Sequence, residues 1–108
     1  MAQFDVHRNK GSQKDSIPFV VVIQSARFDA YRRRVVVPLV LRHYAPVSSL
    51  SGTRMNPVFL VGGIEVVLNP LQVVSVATDQ LGAMVGSLAD QGQQITDAMD
   101  ELLTRAWG

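Results

Sequence analysis

The chain has 108 residues, 47% of them hydrophobic and 18% charged, with a formal net charge of +1 and no cysteine. That length and balance fit one folded domain spanning residues 1–108 and exclude wholesale disorder. The missing cysteines exclude disulfides, thiolate metal sites and thiol nucleophiles, and a charge of +1 is too small to mark a nucleic-acid binder by bulk electrostatics.

The N-terminus, MAQFDVHRNK, lacks the apolar core of a signal peptide, and no run approaches the roughly 18 apolar residues that span a bilayer. A cytoplasmic location with no membrane partner is expected. Gln3 to Val6 opens as a strand, because Phe4 and Val6 alternate with polar neighbours. Lys10 to Ser16, KGSQKDS, has the composition of a surface loop.

Pro18 to Ser25, PFVVVIQS, is a continuous apolar run, short and β-branched, and predicts a strand buried on both faces. Arg33 to Leu41, RRVVVPLVL, is similar, but Pro38 cannot donate a ladder hydrogen bond. That places the strand at an edge, or bends or bulges it there. His43 to Arg54 reads as a connection. Pro57 to Pro70, PVFLVGGIEVVLNP, holds two β-rich runs joined by Gly62-Gly63, the pattern of a tight hairpin. Leu71 to Gly82 adds one or two short strands.

The texture changes at Asp90. In DQGQQITDAMDELLTRA, Ile95, Ala98, Met99, Leu102, Leu103 and Ala106 recur at the offsets of one helical face, with Asp90 as a candidate cap and Gln93 three residues on. Asp97, Asp100 and Glu101 lie off that stripe and read as its wet face rather than as an acid pair for catalysis. The fold class is therefore mainly β, a small antiparallel barrel or strongly bent sheet with one C-terminal α-helix.

Chemistry-bearing motifs are sparse. His7 and His43 have no ligand-spaced partner, so no metal site is expected, and no phosphate loop, GxGxxG or GxSxG motif is present. Tyr31 to Arg34, YRRR, reads first as a solvated turn, since three adjacent residues on extended chain cannot all face one way. Gathered in space, these arginines would bind nucleic acid or an acidic peptide. Trp107 is the only tryptophan, and its large rigid ring suits either an anchor for a partner or a staple onto the chain's own sheet.

Together, QFDV (Gln3 to Val6), FVVVIQSARFDAYRRRVVVPL (Phe19 to Leu39), NPVFLVGG (Asn56 to Gly63) and the closing helix with its Trp-Gly resemble the CcdB family of toxins. The resemblance implies an SH3-like barrel with a C-terminal helix that acts as a homodimer, the toxin of a type II toxin-antitoxin pair. It implies a non-enzymatic poison, without cofactor, that binds the A subunit of DNA gyrase and traps the cleaved-DNA complex. It implies a cognate CcdA-like antitoxin as partner, with DNA met only indirectly through the toxin-antitoxin complex. The gyrase-facing positions carried over by the resemblance are Arg27, Phe28, Asp100, Trp107 and Gly108, the last two matching the start of the family's docking tail. Two other readings compete: a MazF-like endoribonuclease toxin on the same fold, and a homologue that keeps antitoxin binding but is not toxic.

Overall fold

A computed structural model describes residues 2–44 and 52–105, with side chains as far as Leu103. Its strands are β1 (Asp5–Asn9), β2 (Phe19–Val22), β3 (Arg33–Leu41), β4 (Val58–Val61), β5 (Ile64–Leu68), β6 (Val74–Ala77) and β7 (Leu81–Ser87), followed by helix α1 (Gly92–Asp100). They form one antiparallel sheet in the order β4-β5-β3-β2-β1-β7, with β6 also paired to β3. The sheet curls around the helix without its end strands β4 and β7 pairing among the described residues, and so forms a half-barrel.

The strand sequences explain the curl. Alternate residues of five strands point inward, among them Val6, Val21, Leu39, Phe59 and Val66, and meet Ile95 and Ala98 of α1 in one core. The intervening residues are also apolar. Val20, Val22 and Val36 form a second cluster on the outer face, and Ile17, Val40 and Val67 a third. All four residues of β2 are buried, which is why that stretch reads as an unbroken apolar run.

Pro38 sits in the central strand, not at an edge. Val36 of β3 pairs with Val74 of β6, and Leu39 pairs with Leu68 of β5, so β3 changes partners at Pro38. On the other side, Val35 accepts a bond from the Ile23 amide and Leu41 donates to Ser16, so odd-numbered residues face β2. Pro38, an even position, faces the gap between β6 and β5, where the ladder needs no donor. Its carbonyl accepts the Asn69 amide at 3.1 Å.

Gly62 and Gly63 form the expected hairpin turn, with φ of 56° and 80°, between the paired residues Val61 and Ile64. Two positive φ values in succession define the turn that matches strand twist, and only glycine adopts both at no steric cost. The first strand begins later than its alternation suggests, at Asp5, because Phe4 has a φ of 71° and belongs to a turn. In that turn the Ala2 amide donates to the Asp5 carboxylate at 2.8 Å.

The helix also departs from expectation at both ends. Asp90 makes no capping bond; it lies in a 3-10 turn, Ala89–Gln91, ahead of α1. Beyond Asp100 the backbone widens into a π-type turn, Glu101–Arg105. A wider turn slips the phase of the apolar stripe, which accounts for Leu103 being 68% exposed although it shares the spacing of Ile95 and Met99. Urea unfolding should therefore separate the two residues: Ile95→Ala is expected to cost about 2–5 kcal/mol, and Leu103→Ala less than about 0.5 kcal/mol.

Candidate functional site: the Arg34-held turn and the helix end

The turn that carries Arg27 and Phe28 is built around an arginine from the next strand. Arg34 is the second residue of β3, with its side chain only 1% exposed. Its Nε donates to Gln24 Oε1 at 3.3 Å, and its Nη2 donates to the Gln24 and Ser25 carbonyls at 2.8 and 3.1 Å. Its Nη1 pairs with the Asp29 carboxylate. Gln24 Oε1 also accepts the Val35 amide at 2.9 Å, so one amide oxygen joins the end of β2 to the start of β3. A buried guanidinium is tolerated only with such extensive pairing, and its planar fork matches acceptors that a lysine could not hold together.

Arg27 and Phe28 project from the 3-10 turn Ala26–Phe28 at the rim of this cage. Arg27 is exposed, and Phe28 is 37% exposed with its ring centroid 6.0 Å from that of Tyr31. The arginine run diverges as extended chain requires. Arg32 points to solvent, Arg33 donates to the Ser75 hydroxyl and carbonyl at 3.0 and 2.6 Å, and Arg34 turns inward. The reading of YRRR as simply a solvated turn therefore fails at Arg34, which is a structural keystone.

Asp100 stands at the other side of Ile23. It lines a cleft of about 230 Å³ with Gln3, Phe4, Ile23, Met99 and Leu103. Gln3 Nε2 donates to the Ile23 carbonyl at 3.0 Å, and the Phe4 ring packs so closely on Gly92 that a Cβ there would lie 2.5 Å from it. Sequence reasoning on the site missed Gln3 and Phe4. The available signal was their place in the QFDV block, which local alternation assigned to a strand. Phe28 and Asp100 thus line two different clefts, the first beside Gln24 and the second beside Ile23. Trp107 and Gly108 lie outside the described residues, as does Ala106.

The other carboxylates of the helix are held as ion pairs. Arg54 Nε lies 3.4 Å from Glu101 and its Nη2 3.8 Å from Asp97. All three side chains are partly exposed, so these contacts contribute at most about 1 kcal/mol each. His7 is buried and donates its Nδ1 proton to the Gly82 carbonyl at 3.0 Å. Among the described residues, no three of His, Asp or Glu gather as a metal-binding group. Replacing Gln24 by leucine should destabilise the fold by about 1–3 kcal/mol in chemical denaturation, because the Val35 amide and Arg34 Nε would both lose their acceptor in a buried setting.

No curated protein sequence matches the chain. Among solved structures, a chain described as "Endoribonuclease in complex with its cognate antitoxin from Mycobacterial species" shares the fold, with a TM-score of 0.73 at 12% identity, covering 95% of this chain and 94% of that one. The family model for CcdB protein matches residues 3–105, nearly the whole length and every strand described above. The chain belongs to the CcdB family, the toxins of toxin-antitoxin pairs.

Proposed function

We propose that this toxin is a gyrase poison: a homodimer that binds the A subunit of DNA gyrase, traps the enzyme on cleaved DNA and is silenced by a cognate CcdA-like antitoxin. The family match over residues 3–105 carries this reading. Three features of the molecule support it. The Arg34 cage presents Arg27 and Phe28 on a rigid turn, and a pre-ordered apolar ring loses little entropy on docking. Asp100 lies at the last turn of α1 beside an open cleft, in the stretch of chain that leads to Trp107 and Gly108. Val74 on the outer face and Leu71 in the 3-10 turn before β6 are 47% and 64% exposed, apolar surface of the sort that a second subunit covers. An antitoxin partner also accords with the solved relative of the same fold, which is itself bound to its cognate antitoxin. The mechanism asks no bond-making of the toxin; it acts by occupying a state of the target, so no cofactor is needed.

A second reading is an endoribonuclease. The fold is shared with one, and Arg54 beside Glu101 and Asp97 supplies an arginine next to carboxylates. These groups are tied to one another across a loop and a helix, and an arginine engaged by two acids is poorly placed to receive a phosphate. The gyrase reading is therefore preferred.

Incubation with gyrase, ATP and supercoiled DNA, followed by denaturation of the enzyme, tests it. The toxin is expected to accumulate linear DNA, and Phe28→Ala and Trp107→Ala each to require about thirtyfold more protein, the equivalent of about 2 kcal/mol of lost binding. Absence of linear DNA with the unaltered protein would refute the proposal, and degradation of added RNA in the same tube would replace it with the second reading.

A further inference from the structure

The surface beside the Arg34 cage shares Phe28 with the proposed gyrase-docking turn and adds three exposed groups, Tyr31, Arg32 and Arg33, to which that proposal gives no part. From Arg27 to Arg34 the chain carries four arginines against one aspartate, and Asp29 is paired with the buried Arg34. The positive charge that remains is therefore exposed. Arg32 and Arg33 line a pocket of about 400 Å³ together with Phe28, Tyr31, Gln24 and Ser75. Tyr31 is 64% exposed, and its ring leans at 34° to that of Phe28, so the two rings make an open shelf. Arg33 is already fixed by both of its bonds to Ser75, and Arg32 makes no ion pair among the described residues.

We propose that this pocket binds single-stranded nucleic acid directly, with a base stacked on the Tyr31-Phe28 shelf and the adjoining phosphates held by Arg32 and Arg33. Exposed aromatic faces beside cations are what a nucleotide needs, since every base offers a π-face and every linkage a negative charge. An acidic peptide would be satisfied by the arginines alone and gives no use to two exposed rings. Because Arg33 is pre-positioned by Ser75, a phosphate contact there costs little further side-chain entropy. The inference goes beyond gyrase poisoning and departs from the expectation that DNA is met only through the antitoxin. It does not require gyrase.

The test is fluorescence anisotropy of a short labelled oligothymidylate, and of the matching oligouridylate, titrated with the purified toxin in the absence of gyrase. Saturable binding that weakens as salt rises is expected, with affinity about tenfold lower for Tyr31→Ala. The salt dependence should be shallower by about 0.7 in log-log slope for Arg32→Ala, one phosphate contact fewer on a single strand. Both side chains are exposed, and unchanged thermal unfolding would confirm that the variants fold. No binding to either oligonucleotide at low salt overturns the proposal. So does binding that Tyr31→Ala leaves intact and that oligoglutamate displaces, which would assign the patch to an acidic peptide. Since the assay contains no gyrase, its failure leaves the poison reading standing, and failure of the cleavage assay leaves this one.

Discussion

One buried guanidinium organises the turn between β2 and β3, on which the proposed docking residues sit. Arg34 gathers the Gln24 side chain, two successive carbonyls and the Asp29 carboxylate around a group that is almost wholly removed from water. Taking an unpaired charge out of water would cost several kcal/mol, so the loop from Gln24 to Asp29 must close over Arg34 for the strand to begin where it does. Closing it sets the direction of the 3-10 turn, and with it the exposure of Arg27 and Phe28. The same closure leaves Tyr31, Arg32 and Arg33 on the outside. Rigidity on one side of the arginine and an accessible surface on the other are two results of one interaction.

The sheet makes that position possible. β3 is long enough to serve two neighbours on one edge, β6 along its first half and β5 along its second, while β2 runs along the other. Pro38 falls where the first neighbour ends and the next begins. The arginine end of β3 is thus held by β6 through Arg33 and Ser75, and the apolar end is buried against α1 through Val37 and Leu39. Stability is concentrated around Val37, Leu39, Val66, Ile95 and Ala98, and the surfaces proposed for docking lie at the periphery of that core, where groups can be exposed at little cost to folding.

Much of this architecture was legible from local pattern. The β-branched runs became strands, Gly62-Gly63 became the hairpin with both φ values positive, and the spacing of Ile95, Ala98 and Met99 became the packed face of a helix. What escaped depended on partners distant in the chain. Pro38 is harmless in a central strand because of where β5 and β6 stop, which no window of sequence around Pro38 reveals. Arg34 is indistinguishable from Arg32 and Arg33 in composition; its burial follows from acceptors ten residues upstream. Phe4 takes a left-handed φ because the Val22 carbonyl binds its amide and the Leu88 amide binds its carbonyl, a constraint from the end of β2 and from the residue just after β7 at once. Of the site, Arg27, Phe28 and Asp100 came from likeness between blocks of sequence, and the structure adds the turn and cleft that present them.

The claim that Arg34 holds the turn from Gln24 to Asp29 is tested most directly by amide hydrogen exchange on Arg34→Lys, which keeps the positive charge and removes the fork. The amides of Phe28, Asp29 and Tyr31, bonded to the Ser25, Ala26 and Phe28 carbonyls, are predicted to exchange at least about tenfold faster, while those of Val21, Val37 and Leu39 keep their protection. Unchanged exchange in the turn, or an equal acceleration throughout the sheet, would contradict the account: the first would mean that the turn is ordered without Arg34, the second that Arg34 serves only global stability.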